Sequence, residues 1–275
     1  MLKFGEDGEL LEALARGLAV IEAFDASESE MTLSEVARKT NITPATARRI
    51  LRTLMALGYV HCVDKRFLLS ARILGLSAAY LRSTHVEDAL LPELSRLVGQ
   101  FGDASSVGIL SGWDLFYIAH LSGESSMRPD AVTGITYPAY PTSMGRVLLG
   151  ALNDDELERY FREVPLTKLT EHTRNDPKEL KDIIRKVRKQ GFAAVRDELA
   201  YGVTSLAVPI MLASGTVVGA INSSGYSGKV TIQRLIDQRL SELQNAASRL
   251  GEMLLRYPTL RHSLDRPRLH SVQSL

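Results

Sequence analysis

Arg48, Arg49 and Arg52 stand in a stretch, Asn41 to Gly58, that holds no aspartate or glutamate. Guanidinium groups with no carboxylate three or four residues away have no acceptor on their own helix, so they stay available to an outside anion. Arginine meets a phosphate, or the O6/N7 edge of guanine, with paired donors, and double-stranded DNA offers both. The competing reading is a merely solvated basic face, the ordinary meaning of a short charge run. The distribution of charge favours DNA. The 275-residue chain carries 33 Lys+Arg against 32 Asp+Glu, a net charge of +1. Met1 to Glu30 holds eight acids and two bases, a net of −6, and Met31 to Arg72 holds eight bases and two acids, a net of +6. A basic block inside a neutral chain points to a local anionic partner, not to a whole-molecule field.

The elements that must present these arginines are legible around them. Leu10 to Phe24 predicts a helix with Leu11, Leu14, Leu18 and Ile21 on one stripe. Thr32-Leu33-Ser34-Glu35 is a capping box that opens a short helix ending near Thr40, and Asn41 suits the left-handed break after it. Thr43-Pro44 reads as an N-cap and a first-position proline, opening a helix to about Leu57 that Gly58 stops. At 100° per residue Ala47, Ile50, Leu51, Leu54 and Leu57 share its apolar side, opposite Ala45, Arg48, Arg49 and Arg52. Tyr59–Val63 and Phe67–Leu69 predict a hairpin around Asp64-Lys65-Arg66. Two helices with a short break, the second basic and followed by a hairpin, make a winged helix-turn-helix. In that arrangement Thr43, Ala45, Thr46, Arg48, Arg49 and Arg52 face the major groove. Lys65 and Arg66 approach phosphates or the minor groove from the hairpin tip, and Thr32 and Ser34 offer first-turn N–H groups to a phosphate.

Beyond Ser70 the periodicity changes. A helix from Ala71 to about Ser83 leads to another over Val86–Phe101, then strands near Ser105–Leu110 and Leu115–His120 and a polar loop with Gly123, Pro129 and Gly134. Helices over Ser143–Leu152, Asp154–Arg162 and Asp176–Gln190 follow, with strands at Phe192–Arg196, Leu206–Met211 and Val217–Asn222 and a last helix from Thr231 to about Arg256. Hairpin-length connections predict an antiparallel α+β domain. The expected division is a DNA-binding domain at 1–70, a linker helix at 71–85, a ligand-binding domain at 86–257 and a mobile tail at 258–275, which has prolines and no apolar period.

Within the second part, Tyr137-Pro138-Ala139-Tyr140-Pro141-Thr142-Ser143 runs straight into an apolar helix. Its first N–H groups suit a carboxylate, with Tyr137 and Tyr140 as flat walls; a plain capped helix accounts for the same residues. Ser205 before an apolar strand, and Asn222, Ser223 and Ser224 after another, are polar groups that need partners, either a ligand or the neighbouring backbone. Arg128 in the polar loop is placed to cover a bound anion or simply to meet solvent.

Other chemistries find no support. Cys62 is the one cysteine, which excludes a disulfide framework and a cysteine-rich zinc module, and the six histidines lack ligand spacing, so no metal or cofactor is expected. No phosphate-binding glycine loop, nucleophile elbow or zinc-protease motif occurs, and no catalytic residue is assigned. The acidic start lacks the apolar core of a secretion signal. Leu206 to Ile221 is too short to span a bilayer, which predicts a cytoplasmic protein with no membrane partner.

The sequence resembles the IclR family of bacterial transcriptional regulators from about Leu14 to Met253. The likeness rests on Ala15-Arg16-Gly17-Leu18-Ala19-Val20-Ile21, Leu33-Ser34-Glu35-Val36-Ala37, Ala47-Arg48-Arg49-Ile50-Leu51-Arg52-Thr53-Leu54, Leu57-Gly58-Tyr59-Val60 and Arg72-Ile73-Leu74-Gly75-Leu76. Pro141-Thr142-Ser143-Met144-Gly145-Arg146-Val147-Leu148-Leu149 and Gly202-Val203-Thr204-Ser205-Leu206-Ala207-Val208-Pro209 carry it through the second half. The wording around Tyr137–Leu149, with serine at 205, is similar to the PcaU/PcaR/PobR branch of aromatic-acid catabolism. The resemblance implies a GAF-like effector domain, dimers joined through the DNA-binding domains and often tetramers. It also implies a pocket lined at Ser143 and Met144, near Val195, and by Val203, Ser205, Asn222 and Ser224. Members that bind small acids have aspartate where Val195 aligns and cysteine where Ser205 stands, so a hydroxylated aromatic acid fits better than glyoxylate or pyruvate. The implied function is a ligand-responsive regulator, more often an activator, answering to protocatechuate, 4-hydroxybenzoate or β-ketoadipate. The alternatives are a repressor of the same family serving other small organic acids, and an enzyme tethered to DNA.

Overall fold

The first helix, α1 (Glu12–Glu22), turns a different face inward from the one its periodicity suggests. Val20 and Ala23 are buried, whereas Leu11, Leu14 and Leu18 are 76%, 62% and 48% exposed. Apolar residues occur nearly all round this helix, so the pattern fits more than one inward face, and the rest of the unit selects the Val20 side. This is seen in a computed structural model that describes residues 11–25, 27–123 and 131–264. The chain divides into two units, Met1–Tyr80 and Leu81–Leu275, and the division falls inside the expected linker helix.

In the first unit α1 is followed by β1 (Glu30–Thr32), α2 (Leu33–Lys39), α3 (Pro44–Ala56), β2 (Val60–Val63) and β3 (Arg66–Leu69). The capping box forms in full on α2: Thr32 accepts from the Glu35 N–H, and the Glu35 side chain accepts from the Thr32 N–H at 2.7 Å. Asn41 takes φ 52° and ends that helix, and Thr43 caps α3 with Pro44 at its first position. Ala47, Leu51 and Leu54 bury against Val20, Met31, Val36 and Val60. Leu57, expected on that apolar side, is 52% exposed because it lies past the end of the helix. Asp64 and Lys65 both take positive φ, the backbone of a tight two-residue hairpin. The hairpin gains a third strand, with β1 pairing β3 at Met31↔Phe67. Three residues are too few to show a strand's alternation, so β1 leaves no mark in the sequence pattern.

After a 3₁₀ turn at Ala71–Ile73, α4 (Leu74–Thr84) crosses into the second unit. There α5 (Val86–Phe101), β4 (Ala104–Ser111), β5 (Asp114–Ser122), β6 (Thr136–Pro138), α6 (Ser143–Gly150), α7 (Asp154–Glu163) and α8 (Pro177–Gln190) are followed by β7 (Ala193–Arg196), β8 (Val203–Met211), β9 (Val217–Tyr226), α9 (Ile232–Met253) and α10 (Pro258–Leu264). The six strands form one antiparallel sheet in the order β6-β5-β4-β9-β8-β7. Successive residues of β9 reach opposite layers: Asn222 bonds Ser205 beneath α6, and Ser223 bonds Arg239 of α9. Helices therefore cover both faces. The expected tail is corrected over part of its length. Residues 258–264 are helical and bury Leu260 and Leu264, an apolar pair four residues apart that outweighs the proline at the start of the segment. Residues 265–275 lie outside the described residues.

Gly145 is the tightest point of α6. A Cβ there would lie 2.1 Å from the Ala139 carbonyl oxygen and 2.5 Å from the Thr142 hydroxyl. Both are fixed parts of the helix start, so Gly145→Ala should destabilise the second unit by about 2 kcal/mol or more, in the range of core overpacking. Urea unfolding followed by circular dichroism measures this, and an unchanged midpoint would show that the turn can open freely.

Among the described residues no helix is long and apolar enough to cross a membrane, and no group of three His, Cys, Asp or Glu is placed to hold a metal.

Candidate functional site

In the first unit, neutralisation decides which bases remain free. Lys39 pairs with Asp25 at 2.7 Å and Glu28 at 2.5 Å, and Arg38 lies 3.7 Å from Glu28. The acidic segment before β1 thus absorbs part of the +6 block. Arg48, Arg49, Arg52 and Lys65 are exposed and have no carboxylate within ion-pair distance among the described residues. Thr43 and Ala45 share the exposed start of α3, where the Thr43 hydroxyl caps the Thr46 N–H at 3.2 Å. Two expectations are corrected. Arg66 does not extend from the hairpin tip; it turns back to Glu30 at 2.8 Å and Glu35 at 3.7 Å. Thr32 has its N–H and hydroxyl engaged by Glu35, and that N–H holds the Glu35 carboxyl below the usual carboxylate range. A phosphate at this helix start would meet a carboxylate. Ser34 is exposed on the first turn.

The second unit brings most of the ligand candidates together. Thr142 caps α6 by accepting from the Gly145 N–H at 3.0 Å, and the first intrahelical bond runs from the Arg146 N–H to Thr142 O. The N–H groups of Ser143 and Met144 precede that bond and have no intrahelical partner. Beside them lies a cavity of about 30 Å³ lined by Ser143, Met144, Val195, Val203, Ser205, Asn222 and Ser224 among others. Strand register explains the convergence. His120, Ser106, Asn222, Ala207 and Ala193 form one row across β5, β4, β9, β8 and β7. Ser122, Ala104, Ser224, Ser205 and Val195 form the next. Residues opposite one another share a face, so two rows of small and polar side chains lie beneath α6. The Ser143 and Ser205 hydroxyls are 2.7 Å apart, Asn222 Nδ2 donates to Ser205 Oγ at 3.1 Å, and Asn222 Oδ1 accepts from the Ser106 N–H at 2.8 Å.

Tyr137 and Tyr140 do not line this cavity. Tyr140 is buried with its hydroxyl donating to Thr167 O, and Tyr137 packs edge-on against Tyr117, which is the ring that does line the cavity. Consecutive turn residues before a helix splay apart, so proximity in sequence to Ser143 does not carry the side chains to the site. Arg128 lies outside the described residues.

Sequence reasoning misses Glu198, which reaches the same cavity. Arg146 grips it with both terminal nitrogens, at 2.8 and 2.6 Å, while Arg146 Nε donates to Tyr140 O at 2.8 Å and the Arg174 N–H donates to Glu198 at 3.0 Å. The available signal is Arg146 itself, a charge among the apolar residues of α6 that has to find a buried partner. A larger groove of about 780 Å³, lined by Val147, Val187, Val208 and Met211 among others, shares no residue with the candidate set. Size alone does not make it a carboxylate site.

Comparison with known proteins agrees with both halves of this description. Residues 13–63 match a family model described as the IclR helix-turn-helix domain, and residues 78–251 match one described as the bacterial transcriptional regulator IclR C-terminal domain. The Pca regulon regulatory protein of Pseudomonas putida is 39% identical over 247 residues, 90% of this chain and 84% of that protein. The p-hydroxybenzoate hydroxylase transcriptional activator of Acinetobacter baylyi is 30% identical over 90% of this chain and 93% of its own length. Among solved structures, a putative transcriptional regulator from Rhodococcus sp. RHA1 superposes with a TM-score of 0.75 at 40% identity, over 90% of this chain and 99% of that one. A double mutant of the PobR inducer-binding domain from Acinetobacter, in complex with 3-hydroxybenzoic acid, aligns at 27% identity and a TM-score of 0.55 over 58% of this chain and 94% of that one.

Proposed function

The chain belongs to the IclR family of bacterial transcriptional regulators, and from that premise we propose that it is a ligand-responsive activator of aromatic-acid catabolic genes. Its α3 reads operator DNA, and its second unit binds protocatechuate, 4-hydroxybenzoate or β-ketoadipate. The observation that carries the effector reading is the cluster of donors at the start of α6. Two N–H groups without intrahelical partners, at a positive dipole end, stand beside the paired Ser143 and Ser205 hydroxyls in one cavity. A carboxylate accepts from both N–H groups and from whichever hydroxyl of the pair does not donate to the other. Met144, Val195, Val203 and Tyr117 supply apolar contact for the rest of the molecule. The Pseudomonas and Acinetobacter relatives, by name, govern a pca regulon and a p-hydroxybenzoate hydroxylase, and the PobR domain holds a hydroxybenzoic acid. These support the choice of ligand class.

A benzene-sized ligand occupies a cavity on the order of 150 Å³, well above the present volume, so binding must displace lining side chains. That displacement is the source of the signal. A ligand that favours one arrangement of the DNA-binding units by ~1–3 kcal/mol suffices for a switch. Homodimerisation through α1 supplies the second DNA-binding unit, and the exposed Leu11, Leu14 and Leu18 give it an apolar surface.

Fluorescence anisotropy of the purified protein on its own promoter fragment tests this reading. Saturating effector should shift the affinity by roughly 5- to 150-fold. Binding to the fragment that ignores all three acids, with no rise in melting temperature, would remove the effector assignment and leave the DNA-binding one.

A further inference from the structure

The polar chain that begins at Ser143 continues past Asn222. Asn222 meets the Ser106 backbone, the Ser106 hydroxyl lies 2.8 Å from His120 Nδ1, and His120 Nε2 lies 2.7 Å from the Ser122 hydroxyl. His120 and Ser106 line a second small cavity of about 20 Å³, and this shares Tyr117, Val203 and Ser224 with the cavity beside α6. The two are adjoining parts of one crevice across the sheet. Its α6 end offers backbone donors, and its β5 end offers an imidazole whose ring stacks on Tyr117. Apart from two tyrosines and Glu198, which Arg146 holds, His120 is the one titratable side chain lining either cavity among the described residues.

We propose that His120 determines specificity: its Nε2 holds the second polar group of a two-ended effector, at the end opposite the carboxylate bound at α6. The inference rests on the effector reading above. Ser106 is 2% exposed, so its bond to Nδ1 fixes the ring's orientation. Ser122 is exposed, so its hydroxyl can turn to water and yield its own place at Nε2 to a ligand group. Three strand spacings, ~14 Å, separate the backbones of β5 and β8. A one-ring or six-carbon acid with a hydrogen bond at each end spans a comparable length. Both a phenolic hydroxyl and a second carboxylate satisfy an imidazole nitrogen, so the chemistry recognised is a hydrogen-bonding group at a set distance from the carboxylate.

Isothermal titration of the full chain with matched ligands separates the sources. Benzoate is compared with 4-hydroxybenzoate and protocatechuate, and levulinate with β-ketoadipate, each pair differing in the second polar group. The wild-type protein should prefer one two-ended ligand over its truncated partner by about 10-fold or more, because the truncated one leaves a polar group unpaired. In His120→Phe, which keeps the ring against Tyr117, that preference should fall to within about 2-fold while the truncated ligand binds as before. His120→Asn reaches the Nδ1 position and not Nε2, keeps Ser106 bonded, and should lose the same preference; it decides the matter if the phenylalanine variant fails to fold. A preference that survives both changes, or an equal loss for both members of a pair, overturns the proposal. Wild-type protein that binds none of the five ligands overturns the effector reading and this inference with it.

Discussion

Replacing Arg48, Arg49 and Arg52 together with alanine should weaken binding to the promoter fragment about 10³-fold at physiological salt, at about 1–3 kcal/mol for each arginine that reads a base or phosphate. The plot of log affinity against log salt should also flatten, by about 1 for each phosphate left without its arginine. The effect is large because among the described residues no carboxylate lies within ion-pair distance of these groups: all three are exposed, and Asp25, Glu28, Glu30 and Glu35 are engaged by Arg38, Lys39 and Arg66. Folding should survive, since Ala47, Leu51 and Leu54 on the opposite side of α3 carry the packing. The single variants then divide the labour. An arginine on phosphate lowers affinity for every sequence alike, whereas one on a base relaxes preference at one operator position. Arg66→Ala is the contrasting control, because its guanidinium is committed to Glu30. If the triple variant binds with unchanged affinity and salt dependence, α3 is not the reading helix and the wing or another surface must be.

How far the sequence reveals this architecture depends on whether the deciding interaction is local. The capping box at Thr32–Glu35, the left-handed Asn41 and the Thr43-Pro44 helix start are each settled within four residues, and each forms as expected. Which face of α1 turns inward is a tertiary choice, and there the stripe of Leu11, Leu14 and Leu18 misleads. The ligand cavity shows the same divide. Ser143, Ser205 and Asn222 are legible as polar residues beside apolar runs, but their meeting depends on the register of β8 and β9, far apart from α6 in sequence. Tyr137 and Tyr140 fail because nearness along the chain is not nearness in a turn. Glu198 goes unseen because its environment in the sequence is an ordinary polar loop; only the partner, Arg146 in an apolar helix, betrays it.

That partner gives the second large effect. Arg146→Met should destabilise the second unit by about 3–5 kcal/mol, the usual cost of leaving a buried charge without its counter-ion. Arg146 is 3% exposed and Glu198 7%, so neither can be solvated in place. The loss also strips the Tyr140 carbonyl of its Nε donor and loosens the turn that leads into α6. The pair itself need not be a net source of stability, since desolvating both charges offsets much of their attraction. A double-mutant cycle distinguishes the two statements: Arg146→Met with Glu198→Leu should recover most of the stability that Arg146→Met alone removes, as read by urea unfolding. If the double variant is no better than the single, the arginine acts through Tyr140 and packing, not through charge. The functional consequence is opposite in kind. Glu198 lines the cavity proposed to receive a carboxylate, and Arg146 is what keeps that wall from repelling an anion. The charge-free double variant should therefore still bind the acid, whereas folded Arg146→Met protein should not, because ligand and Glu198 would then be two carboxylates sharing a buried site.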